Sequence, residues 1–207
     1  MMTPEEIAAA FARPDGSYAF ARWGRPIVPV VFGVEDETLE IVKGAIEAVV
    51  SVAGHRMGQM DGELGANLMI FFLREWEELL ELANLGEMIP DLEGLVARLR
   101  EAGAHQYRLF RYDEAGAVRA CFAFLRMDEA ALSRPAEEIA LALALRVILP
   151  WGEGAFARRA PLVAGGEGGG VLRPEFAAIV RAAYDPVLPD VADDPSHALR
   201  LFARLEA

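Results

Sequence analysis

The chain has 207 residues, 54% of them hydrophobic, and its 32 acidic against 20 basic side chains give a formal charge of −12. Such a length and apolar content suit one domain, residues 1–207, with a sizeable core. The negative charge excludes nucleic acid and anionic membrane surfaces as natural partners, because affinity for polyanions comes from Lys and Arg neutralising phosphates.

After a short amphipathic start, residues 27–33 (IVPVVFG) are β-branched and end on glycine. This predicts a strand, and Pro29 inside it predicts an edge position or a bulge. Across 35–53 the apolar residues Leu39, Val42, Ile46, Val49 and Val50 recur at three- and four-residue spacing behind an acidic first turn, a helix that Gly54 closes. A short strand is open at 55–60, and after Asp61-Gly62 the run 67–73 (NLMIFFL) has the length and composition of a buried strand. Helices are expected at 75–83, from Trp76, Leu79 and Leu80, and at 91–102, which Pro90 precedes and Gly103 closes. Residues 106–112, a turn at 113–116 and residues 117–127 predict a hairpin, whose second strand (AVRACFAFLRM) is apolar on both faces and belongs in the middle of the sheet.

Residues 135–149 are mostly Ala, Leu and Ile, and a helix apolar all round is a buried one. Ser133 is expected to cap it and Pro135 to open it, although 139–145 (IALALAL) also alternates with period two and leaves a strand open. The segment 152–172, with Gly152, Gly154 and GGEGGG at 165–170, reads as a flexible, glycine-rich surface loop. Pro174 opens a helix bearing Phe176, Ile179, Val180 and Tyr184, and Asp194-Pro195 caps a last one bearing Leu199, Phe202 and Leu205. The fold class is therefore α+β, a mixed four- or five-stranded sheet packed on helices with a helical C-terminal part.

Residues that could carry chemistry are few. Cys121 is the single cysteine, so neither an intramolecular disulfide nor a cysteine zinc cluster can form, and its mid-strand position marks an inert thiol. Ser17, Ser51, Ser133 and Ser196 are the only serines, and none stands in a GxSxG elbow. The glycine run has the composition of a phosphate loop without its GK[ST] ending, which makes it a linker. Glu137 and Glu138 open the apolar helix, where a carboxylate held against apolar surroundings could act as a general acid or base; acids in a first turn equally complement the helix dipole. His55, His105 and His197 share no HxH or HxxxH spacing, so a metal site on His55 and His105 would have to be assembled from separate elements with carboxylate help. No cofactor is implied. Trp23, Trp76 and Trp151 could line a pocket or fill the core, and Arg158-Arg159 is too small a basic patch to outweigh the overall charge. No apolar run approaches the roughly 20 residues that cross a bilayer. The acidic start lacks a secretory pattern, so the cytoplasm is expected, or the cell envelope if a leader has been removed.

Four stretches taken together, RWGRPIVPVVFG (22–33), NLMIFFL (67–73), AEEIALALAL (136–145) and AAYDPVLP (182–189), resemble a bacterial family catalogued as domain of unknown function 2927. The resemblance implies a zincin-like order of elements and a helix reading HEExxQ, similar to the HExxH helix of zinc metallopeptidases. By position, Glu137 and Glu138 match the two acids, whereas Ala136 stands in place of the His and Leu141 in place of the Gln. The family's second cysteine is missing, and the glycine-rich loop replaces a polar stretch. Ala and Leu offer zinc no lone pair. The resemblance thus implies a non-catalytic protein, diverged from a metallopeptidase-like family, that binds a protein partner or a small ligand. One alternative is a metal-dependent hydrolase using Glu137 or Glu138, and another is a structural subunit of a homo-oligomer.

Overall fold

Thr3 starts the chain's first helix with a capping box: its hydroxyl accepts from the Glu6 N–H while the Glu6 carboxylate accepts from the Thr3 N–H, opening α1 (Pro4–Ala10). The computed structural model describes residues 2–60, 65–165 and 170–205. The Asp61-Gly62 turn and the centre of the glycine run lie outside the described residues. Two strands follow α1, β1 (Phe20–Ala21) and β2 (Pro29–Phe32), then α2 (Asp36–Val52) and β3 (Leu68–Leu73). The strand left open at 55–60 shrinks to a single bridge between Met57 and Ile27. Pro26 and Pro29 flank Ile27 and have no N–H with which to extend a ladder. β2 ends at Gly33, whose φ of +82° and close approach to the Phe72 carbonyl both exclude a side chain.

Only part of the helix expected at 75–83 forms, as a 3-10 helix (Trp76–Leu80) followed by the short α3 (Leu85–Met88). Three residues per turn put Trp76 and Leu79 on one face, and both are buried there. Glu78 fixes the tight start by accepting from the backbone of Arg74 and Glu75. Next come α4 (Leu92–Glu101), the hairpin β4 (Gln106–Tyr112) and β5 (Val118–Arg126), the short α5 (Glu129–Leu132), and α6 (Ala136–Ile148). The period-two reading of 139–145 gives way to the helix, because Ile139, Ala140, Leu143, Ala144, Leu145, Val147 and Ile148 are all buried at helical spacing. Ser133 does not cap α6. Its hydroxyl donates to the Ala130 carbonyl at 2.8 Å, and Pro135 occupies the cap without a side-chain bond.

The segment read as a loop holds a short hairpin, β6 (Leu162–Ala164) against β7 (Gly170–Leu172), in which Leu162 pairs with Leu172. The β-branched and leucine residues flanking the glycines supply enough apolar surface to pair. The chain ends with α7 (Pro174–Ala183), β8 (Val191–Ala192) and α8 (Ser196–Phe202).

Four strands form a mixed sheet in the order β2-β3-β5-β4, with β2, β3 and β5 parallel and β4 antiparallel at the edge. β5 is central and β2, with its Pro29, is the other edge. Alternation sorts the layers: Leu68, Ile70, Phe72, Cys121, Ala123 and Leu125 join a large core with α2 and α6, while Phe71, Leu73, Phe122 and Phe124 join a smaller one with α4 and the 3-10 helix. Separately, β1 pairs antiparallel with β8, tying residues near the two ends of the sequence. No helix of the described residues is long and apolar enough to cross a membrane.

Candidate functional site

The first turn of α6 carries the acids that the sequence singles out. Glu137 is exposed. Glu138 is half-buried, pairs with Arg134 at 3.5 Å and lies where a side chain on Gly170 would collide with its Cγ. His55 lies elsewhere, against Tyr184 and with its Nε2–H donating to the Arg25 carbonyl at 2.9 Å; burial lowers its pKa and favours the neutral ring. His105 is exposed at the approach to β4, its Nδ1 2.7 Å from Asp128. His197 is buried beside Phe20, its Nδ1 2.9 Å from the Tyr18 hydroxyl and its Nε2 without a partner among the described residues, and desolvation takes its pKa down to about 4. Among the described residues, no three His, Cys, Asp or Glu side chains gather as a metal would require. Cys121 is fully buried and its pKa is pushed up to about 12, so its thiol stays protonated.

The last turn of α6 is built quite differently. A helix leaves its final carbonyls without intrahelical partners, and here the chain turns away at Leu149 in an extended conformation with no glycine to close the turn. Four side chains from four separate places donate instead. The Trp151 indole reaches the Leu145 carbonyl at 2.7 Å, Arg108 Nη1 that of Arg146 at 2.5 Å, the Trp23 indole that of Val147 at 2.9 Å, and the Tyr184 hydroxyl that of Ile148 at 2.9 Å. Burial raises the Tyr184 pKa and keeps its hydroxyl a donor.

Arg22 does the same for α7. Its Nη1 donates to the Ala183 and Asp185 carbonyls at 2.9 and 3.0 Å, its Nη2 to that of Leu188 at 3.0 Å, and its Nε to Asp190 at 2.6 Å. The adjacent pair Arg22-Trp23 therefore closes two helices, and the stretches RWG, AEEIALALAL and AAYDPVLP meet around this collar.

Beside the collar, between β4 and the β1–β8 pair, lies a cleft of about 790 Å³ whose lining includes Arg13, Arg108, Tyr112, Arg146 and Trp151. Arg13, Arg108 and Arg146 have no carboxylate within ion-pair distance among the described residues. Desolvation lowers the pKa of both Arg108 and Arg146, that of Arg146 to about 10, and the Arg108 charge adds to the effect at Arg146. The Arg146 guanidinium rests 4.4 Å from the Phe156 ring centroid. A smaller cleft of about 370 Å³ shares Gln106 and Arg146 and contains His105, Arg126 and Asp128. Arg108 and Arg146 are the site residues that sequence reasoning missed. The available signal was Arg146, the one charge of α6 beyond its acidic first turn.

Comparison with models of known families, with curated sequences and with solved structures finds no match. Fold and geometry define the class: an α+β protein whose mixed sheet carries an arginine-lined cleft at the closed end of its most apolar helix.

Proposed function

We propose that the protein is a non-catalytic binding protein, diverged from a metallopeptidase-like family, that takes a small ligand in the cleft beside the last turn of α6. The observation that carries this reading is the cleft itself: about 790 Å³, a size usual for small-molecule sites, with convergent polar groups set among aromatic side chains. Loss of catalysis is supported by Ala136 and Leu141, which stand where the related helix would present metal ligands. The zincin-like order implied by the resemblance is strand, helix, two strands, hairpin, helix; here a single bridge at Met57 stands in place of one of the two strands and α4 precedes the hairpin, so the reading rests on the α6 helix, with Glu137 and Glu138 as a relic acid pair.

Two measurements test the two halves. Metal analysis of protein purified without chelator is expected to return far less than one zinc per chain, and a value near one would restore the hydrolase reading. A small-molecule screen followed by nuclear magnetic resonance is expected to shift the Trp151 indole and the β4 amides. Hits confined to other surfaces would remove the cleft as the site.

A further inference from the structure

The charge of the cleft is opposite to that of the molecule. Acids outnumber bases 32 to 20 in this chain, yet no described carboxylate neutralises Arg108 or Arg146. Glu153 and Asp193 line the same cleft but stay outside ion-pair distance. Two guanidiniums drawn partly out of water and repelling one another are unfavourable for the free protein, and an anion between them would relieve both effects at once.

Their placement is also held in advance. Arg108 is pinned through Nη1 to the Arg146 carbonyl, and the Arg146 side chain is steadied on Phe156, so little side-chain freedom would be lost on binding. The guanidinium fork matches the paired oxygens of carboxylate and phosphate. Phe110, which is half-buried, and Tyr112, which is exposed, offer apolar and aromatic surface to an organic body.

We infer that the cleft binds a small organic dianion, a dicarboxylate or a phosphate monoester, between Arg108 and Arg146. This rests on the cleft being the ligand site.

The test is isothermal titration of the full chain at low ionic strength with malonate and inorganic phosphate as dianionic probes, acetate as a monoanion and malonamide as the neutral counterpart. Saturable binding of a dianion is expected, with the tighter of malonate and phosphate assigning the carboxylate or the phosphate class. Arg146→Gln should weaken it at least about tenfold, while Arg119→Gln on the exposed surface leaves it unchanged. Arg146→Lys, which keeps the charge and loses the fork, should fall between. Arg146→Gln should not lower the Tm of the free protein, whereas a merely structural arginine would. Malonamide binding as well as malonate, with the Trp151 indole shifted, would overturn the dianion and leave the cleft a ligand site. Failure of every probe, together with a screen that never perturbs Trp151, would remove both. Undiminished dianion binding by Arg146→Gln would also overturn the assignment.

Discussion

The two ends of α6 contrast in every respect that bears on function. At the N-terminal end, Glu137 faces solvent, Glu138 is tied to Arg134, and no side chain caps the first turn. At the C-terminal end, four donors converge on four successive carbonyls, and the cleft of about 790 Å³ opens beside them. Acids at a helix start stand out in a sequence because they are contiguous and charged. A collar assembled from residues 23, 108, 151 and 184 has no such contiguity, although it determines far more of the structure.

The largest expected effect comes from removing a collar member that is also core. Trp23 is buried and donates to Val147, so Trp23→Ala should cost about 4 kcal/mol in chemical denaturation, through the cavity and the abandoned carbonyl together. A loss under 1 kcal/mol would show that the collar is incidental. Acid tests the support behind it, since His197 packs on Phe20 just ahead of Arg22-Trp23. In the unfolded chain this histidine takes up a proton near pH 6.5, whereas in the folded protein it stays neutral down to about 4. The unfolded state then binds more protons, so stability is full above pH 6.5 and falls on acidification to about pH 4, by on the order of 3 kcal/mol. His197→Phe should flatten that window in thermal unfolding followed against pH, and an unchanged slope would rule out His197 as its source.

Tyr184→Phe is a gentler cut at the same collar. It leaves the ring in place and the Ile148 carbonyl without its donor, for an expected loss of about 1–2 kcal/mol and faster amide exchange in the last turn of α6. Equal protection in variant and parent would argue against the bond. The smallest effect belongs to the other end: Glu137→Gln should shift stability by no more than about 0.5 kcal/mol, and should leave dianion binding in the cleft untouched. A larger change would reinstate the acid pair as a functional group.

Much of the fold was legible in the sequence. Period told helix from strand over 35–53, 67–73, 91–102 and 106–127, and the apolar character of both faces placed β5 centrally. Local chemistry misled where a few residues decide geometry. The run 75–83 has helical spacing, but the capping of Glu75 by Glu78 tightens it to a 3-10 turn, and glycines at 165–170 concealed the pairing of Leu162 with Leu172. The candidate cleft was almost illegible. Whether an arginine finds a carboxylate depends on long-range packing, and nothing near Arg108 or Arg146 in sequence announces that neither does so among the described residues. The collar's donors could be noted as tryptophans and a tyrosine, yet their acceptors are backbone groups, which every residue possesses.

The bond between Arg22 and Asp190 spans 168 residues, and that between Tyr18 and His197 spans 179. During synthesis the N-terminal segment must therefore leave the ribosome long before its partners exist, while the sheet of β2 to β5 can already assemble. Arg22 and Trp23 thus act as a latch of the fold more than its seed, so closure of the collar waits on residues 183–190, and a nascent chain halted before α7 would leave Arg22 without the carbonyls it closes.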